Sequence, residues 1–287
     1  MSSTRWSNGT HPDYPDMGPA EWLRVVCRGV ALAMLVFGGL AALLLTRLIE
    51  RPACGQNRPV TPYITQFVCR TAFRILGIGL KVSGVPMPGR GAVVANHSSW
   101  LDIFTLNAAK RIYFVSKSEV AAWPGIGWLA RATGTVFIER NPKRAKVQTE
   151  TFRDRLLVGH KLLFFPEGTS TDGMQVLPFK TTLFQSFFAP ELVGQIAVQP
   201  VSVLYTAPPL TDPRFYGWWG DMSFGAHLLV TLAPARQGHV SVVYHPPLQV
   251  VDFANRKALA QACEDAVRAG HKVLMLKSTE GEERLEA

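Results

Sequence analysis

The sequence predicts an α/β protein: a mostly parallel sheet flanked by helices, with an N-terminal transmembrane helix and an amphipathic helix on the membrane surface. Three observations carry this fold class. From Gly91 onward short apolar runs alternate with helical patterns, as in layered α/β domains. Eighteen consecutive residues, Gly29 to Thr46, carry no charge. Between residues 61 and 81 apolar and basic side chains separate onto opposite sides of a helical repeat.

The uncharged run lies between Arg28 and Arg47. At about 1.5 Å per residue it makes about 27 Å of helix, enough for a hydrocarbon layer of about 30 Å. A cleaved signal peptide fits less well, because 28 residues precede the run and Arg47, Glu50 and Arg51 follow it. Three arginines (Arg5, Arg24, Arg28) stand before the run, whereas Arg47, Arg51, Arg58, Arg70, Arg74, Lys81 and Arg90 come soon after. The positive-inside bias therefore expects the large C-terminal part on the cytoplasmic side of a cell inner membrane.

A second helix is expected to start with Thr61 as N-cap and Pro62 in the first helical position. Ile64, Phe67, Val68, Ala72, Ile75 and Leu76 form its apolar side; Gln66, Arg70, Arg74 and Lys81 fall opposite. Such a helix fits the bilayer surface, or equally the flank of the domain.

The expected strands are residues 92–95, 112–116, 135–139, 162–165, 196–204 and 240–244. Asn141-Pro142 should open a basic helix that runs to about Val158 and stops at Gly159. Asp252 should cap a last helix ending near Arg268, with Gly270 as its C-terminal glycine, before a charged, frayed tail.

Composition removes several function classes. Apolar residues make up 47% of the chain, which excludes disorder. The four cysteines are scattered without C-x-x-C spacing, so neither a disulfide framework nor a metal site is expected. The net charge of +9 suits an anionic lipid surface or an acidic carrier protein. Zinc-finger, RRM and basic-zipper patterns are missing, so nucleic acid is not an expected partner. G-x-S-x-G, G-x-G-x-x-G and G-x4-G-K-[ST] are absent too, which leaves out the serine-hydrolase, Rossmann and P-loop chemistries.

Two segments carry chemistry. In Asn96-His97-Ser98-Ser99-Trp100-Leu101-Asp102 a strand gives way to a helix, at the carboxyl end where α/β sheets collect ligands. An imidazole there can take a proton from a hydroxyl, and an aspartate can hold its other nitrogen. Five residues do not share a helix face, so Asp102 must reach back from the first turn. Taken alone, the pair better fits a structural His–Asp contact. The second segment is the apolar strand Leu162 to Phe165, which ends in Pro166-Glu167-Gly168-Thr169. It brings a carboxylate, a flexible glycine and a hydroxyl to the same edge.

Together these segments resemble the glycerolipid acyltransferase family typified by 1-acylglycerol-3-phosphate acyltransferases. His97 and Asp102 match its H-x4-D block, Gly134 to Arg140 its second block, Phe165 to Thr169 its third, and Val198-Gln199-Pro200-Val201 its proline-centred fourth. The resemblance implies that His97 is the general base and Asp102 its partner. It implies that Glu167, Gly168 and Thr169 seat the acceptor and that Arg140 meets polar or anionic substrate groups. Lys117 matches the lysine usual after the second strand, and Lys180 is expected near the site. No metal or cofactor is implied; the donor is an acyl thioester of acyl carrier protein or coenzyme A. The chain then divides into an N-terminal flank (1–28), a transmembrane helix (29–46), an amphipathic interfacial helix (61–81), an acyltransferase domain (82–277) and a charged tail (278–287).

One departure bears on the acceptor. Phosphate-using members usually follow this third block with arginine, suited to bidentate phosphate contacts. Here Ser170 follows, then Thr171-Asp172-Gly173. An acid in place of a cation suits an amine-bearing acceptor. Residues 165–173, 177–180 and Trp218-Trp219-Gly220-Asp221-Met222 resemble the lyso-ornithine lipid branch, which acylates the 3-hydroxyl of a fatty acid amide-linked to ornithine. Lysophosphatidic acid is the alternative acceptor, and a non-catalytic lipid-binding membrane protein is the alternative of another class.

Overall fold

A computed structural model describes residues 6–14, 16–139 and 145–286. The first helix, α1 (Pro19–Cys54), is longer than the uncharged run at both ends. Pro19 stands at its start, and Gly55 closes it by donating its N–H to Arg51 O. Among the described residues α1 is the one helix long and apolar enough, by length and composition, to cross a membrane. Leu23, Val26, Val30, Met34, Leu45, Leu48 and Ile49 are exposed along it. Both of its flanks touch the same globular body. Arg24 and Arg28 donate to Ala233 O, Leu232 O and Pro234 O near one end, and Arg58 just beyond the other donates to Ala132 O.

The second helix, α2 (Thr61–Leu76), packs back against α1. Thr61 is its first residue rather than its N-cap: the cap is Val60, and its side chain cannot bond the free amides. Glu50 of α1 supplies that bond, accepting from Val60 N–H (2.7 Å), Thr61 N–H (3.2 Å) and Thr61 Oγ1 (2.8 Å). The helix stops at Leu76 rather than 81, because Gly77 adopts φ +81°, the left-handed conformation that ends helices. The following residues form an edge strand, β1 (Gly79–Ser83).

The chain then alternates as predicted: β2 (Gly91–Ala95), α3 (Asp102–Ala109), β3 (Tyr113–Lys117), α4 (Ile126–Thr133), β4 (Val136–Ile138), α5 (Ala145–Leu157) and β5 (Lys161–Phe164). Next come β6 (Ala197–Thr206), α6 (Phe224–Leu232), β7 (His239–Tyr244), β8 (Leu248–Gln249) and α7 (Arg256–Glu286). The sheet runs β1-β7-β6-β2-β5-β3-β4, with β8 also paired to β6. Five of the pairings are parallel; β6 meets β7 and β8 antiparallel. The two-residue alternation of strands sorts the core into layers. Val93, Ala95, Leu163 and Val201 face one cluster with Phe73, Leu76 and Leu106. Ala92, Val94, Leu162 and Phe164 face another with Phe152, Leu156, Leu259 and Val267.

Pro200 is tolerated within β6 because pairing with β8 covers Ala197 and Val198, and pairing with β7 starts only at Val201. Its missing N–H falls in that gap. Two expectations at the C-terminus change. Asn255, not Asp252, caps α7, accepting from Lys257 and Ala258 N–H. The helix also runs through Gly270, where a side chain would strike His245 and Ser202. That glycine serves close packing, not termination. The predicted start of the basic helix at Asn141-Pro142 lies outside the described residues.

Candidate active site

Parallel register brings the chemistry to one edge. Val94 pairs with Phe164, Phe114 with Leu163 and Lys117 with Ile138. The residues just past these strand ends therefore emerge together. His97 follows β2, and Glu167 follows β5 on a loop tied to it. Lys117 is the last residue of β3, half-buried at the same edge. Arg140 lies outside the described residues.

Asp102 opens α3 and does reach back. Its Oδ2 accepts from His97 Nδ1 (2.7 Å), Ser98 N–H (2.8 Å) and Ser99 N–H (3.0 Å). Its Oδ1 accepts from Tyr205 Oη (2.8 Å), which also bonds Thr105 Oγ1 (2.8 Å). The carboxylate is fully buried, so four donors replace its lost hydration. Burial and the charge of Asp102 push the Tyr205 hydroxyl well above its ordinary value. With Nδ1 committed to Asp102, Nε2 is the ring nitrogen able to take a proton. The ring stacks on Phe165 at 4.0 Å and is partly open to solvent.

The Glu167 loop wraps the same residue. Glu167 Oε1 accepts from His97 N–H (2.7 Å) and Oε2 from Leu177 N–H (2.8 Å). Thr171 N–H donates to His97 O (3.0 Å). Glu167 is 2% exposed, and burial pushes its carboxyl up to about 8 against the two amides that favour its ionised form. Both of its oxygens thus face main-chain donors, which tie the loop to His97. Gly168 has φ +72°, and Lys180 Nζ lies beside it, 2.7 Å from where a Cβ would stand. Ser170 is buried, Thr169 half-buried. Asp172 is buried, with Oδ1 accepting from Met174 N–H (3.1 Å) and Oδ2 from Asn8 Nδ2 (3.2 Å).

Sequence reasoning missed several supporting residues. The amide of Asn96 extends β2 sideways, exchanging two 2.8 Å bonds with Val203 N–H and O. Trp100 Nε1 donates to His227 Nδ1 (2.9 Å), and Gln199 ties Met87, Val85 and His245 together. None of these has a signature in spacing. Residues 6–14, read only as a flank, lie against the Glu167 loop.

The acyltransferase family model matches residues 80–204, the segment holding His97, Asp102, Lys117 and Glu167. Over 272 residues the sequence is 61% identical to a lyso-ornithine lipid O-acyltransferase of Rhodobacter capsulatus, covering 94% of this chain and 98% of that one. The chain belongs to the acyltransferase family. This acyltransferase is also 37% identical to a lyso-ornithine lipid O-acyltransferase of Brucella abortus over 227 residues, 75% of this chain and 82% of that one. A 1-acyl-sn-glycerol-3-phosphate acyltransferase of Neisseria gonorrhoeae is 41% identical over only 119 residues, 40% of this chain and 46% of that one. The crystal structure of PlsC, the 1-acyl-sn-glycerophosphate acyltransferase of Thermotoga maritima, shares the fold. Its TM-score is 0.62 at 22% identity, over 89% of this chain and 96% of that one.

Proposed function

We propose that this acyltransferase moves a fatty acyl group from a thioester donor onto the hydroxyl of lyso-ornithine lipid, giving ornithine lipid. The observation that carries the acceptor is Asp172. A buried carboxylate stands on the Glu167 loop, whose neighbour Thr171 bonds His97 O, and no cation follows Thr169. An ammonium on the acceptor suits that carboxylate; a phosphate would be repelled by it. The long match to relatives named for this acceptor supports the same choice over lysophosphatidic acid.

The transfer is direct. His97 Nε2 takes the hydroxyl proton as the oxygen attacks the thioester carbonyl, and Asp102 stabilises the imidazolium. The new C–O bond forms, the C–S bond breaks, and the departing thiolate recovers the proton. Main-chain amides or a cation such as Lys180 offset the charge on the carbonyl oxygen. Glu167 acts by positioning the His97 loop, and Lys117 and Arg140 serve the substrates' polar groups. The donor is a thioester of acyl carrier protein or coenzyme A, and the basic surface favours the acidic carrier. The exposed apolar faces of α1 and α2 hold the enzyme on the inner membrane, with the catalytic body on the cytoplasmic side.

The test is purified full-length protein with a labelled acyl thioester, offered lyso-ornithine lipid or lysophosphatidic acid separately. Preferential labelling of the ornithine lipid is expected; preferential labelling of phosphatidic acid would overturn the acceptor assignment.

A further inference from the structure

The segment before α1 is engaged with the Glu167 loop at several points. Trp6 N–H donates to Thr169 Oγ1 (3.3 Å), and Asn8 Nδ2 donates to Asp172 Oδ2 (3.2 Å). Trp6 and His11 pack on the Trp219 ring at 6.2 and 5.6 Å. His11 Nε2 lies 3.4 Å from Asp221 Oδ1. Arg214 donates to Thr10 Oγ1, and Tyr14 Oη donates to Phe215 O. The contacts thus centre on Thr169, Asp172 and Trp219, within the loops around the base.

Two details point to a ligand under this segment. Asp172 is buried, and each of its oxygens already accepts an N–H. In the adjoining loops Trp219 Nε1 and Ser98 Oγ, on residues each 2% exposed, have no hydrogen-bond partner among the described residues. Ser98 directly follows His97, and a Cβ built on Gly173, next to Asp172, would stand 3.4 Å from Ser98 Cβ. Buried donors left unpaired cost about 1–3 kcal/mol each, so these two groups remain available to a polar partner. An acceptor headgroup bearing an ammonium and a carboxylate complements this set.

We propose that residues 6–14 form a strap that closes the acceptor-headgroup site. Asn8 holds the place of the acceptor's ammonium at Asp172, and the acceptor enters by displacing it. The displaced strap exposes Trp219 Nε1 and Ser98 Oγ to the acceptor's carboxylate. Asn8 is thereby a specificity-determining residue: its neutral amide yields to an ammonium, which binds a carboxylate more strongly, and gives no such exchange to a phosphate. This inference rests on the amine-bearing acceptor proposed above.

The test uses the full-length enzyme with Cys27 and Cys54, the two exposed cysteines, replaced by serine. A Cβ built on Gly220 stands 3.6 Å from Ser7 Cβ, within the range of about 3.5–4.5 Å that a disulfide needs. In Ser7→Cys/Gly220→Cys, oxidation should suppress acyl transfer to lyso-ornithine lipid by at least tenfold, and reduction should restore it. An oxidised, fully cross-linked enzyme that turns over like the reduced one would overturn the strap. Because Gly220 sits at φ +62°, a second variant guards against a misfolded double mutant. Asn8→Ala removes the internal competitor, so the KM for lyso-ornithine lipid should fall on the order of tenfold, with the donor KM unchanged. A purely structural role predicts an unchanged or raised acceptor KM, and either result would refute the displacement. Parallel assays with lysophosphatidic acid separate the two claims. A wild type that prefers it overturns the ammonium exchange together with the acceptor reading. The disulfide effect, read with whichever acceptor turns over, judges the strap alone.

Discussion

Tyr205→Phe isolates the support behind the base. The substitution keeps the ring, which packs 5.8 Å from Tyr216, and deletes one hydroxyl. Asp102 Oδ1 then loses its donor, and Thr105 Oγ1 loses its partner, both in fully buried residues. A hydrogen bond to an ionised group contributes about 1.5–3 kcal/mol, so the variant should be about 2–3 kcal/mol less stable. At about 2–4 °C per kcal/mol for a chain of this size, the melting temperature should fall by about 4–12 °C. The catalytic loss should be smaller than that of removing the base. Oδ2 still accepts from His97, Ser98 and Ser99, so the imidazole keeps its tautomer. We expect kcat to fall about tenfold with both KM values unchanged. Thermal unfolding of the purified protein in detergent, followed by tryptophan fluorescence, reads the first quantity; acyl transfer at saturating donor reads the second. An unchanged melting temperature would refute the account of Asp102 as a carboxylate needing four donors. A change confined to KM would place Tyr205 in substrate binding instead.

Asp172→Asn should lower kcat/KM for lyso-ornithine lipid by about tenfold to a hundredfold, as expected for losing one charged partner of an ammonium, and raise it for lysophosphatidic acid, because the repulsion of its phosphate is relieved. Kinetics with the two acceptors decide it, and equal losses on both would count against the assignment. Burial holds the His227 pKa down to about 4, and Nδ1 accepts from Trp100 while Nε2 faces Phe215 O. An unfolded chain takes up a proton near pH 6.5 that the folded one refuses, so stability should fall as pH drops from about 6.5 to 4. His227→Gln should flatten that slope in melting curves taken across the range; parallel curves would contradict it. Gly39→Val should drive α1 away from α2, because a Cβ at Gly39 meets the Val68 side chain. A loss of about 1–3 kcal/mol is expected from such overpacking, read as a lower melting temperature in detergent.

The sheet was legible because its buried strands are unbroken apolar runs, from Ala92 to Ala95 and from Leu162 to Phe165. The His97–Asp102 pair was legible because the two residues are close in sequence and one helical turn fixes how they meet. What escaped were partners set by long-range packing. Tyr205 reaches Asp102 across 103 positions of chain, and Asn8 reaches Asp172 across 164; no local pattern encodes either. β1 was hidden inside an amphipathic run that Gly77 breaks, and Gly270 looked like a helix end because close approach and termination both favour glycine. Glu167 does lie against His97, but its partners were not legible: main-chain amides carry no side-chain signature.

The account stands on His97 as the proton acceptor, and single-turnover acyl transfer by His97→Ala tests that most directly. With the labelled thioester and acceptor both saturating, the rate should fall by about 10²–10⁴, while the variant remains in the membrane fraction and still binds the donor. A properly folded variant that transfers the acyl group at nearly the wild-type rate would contradict it.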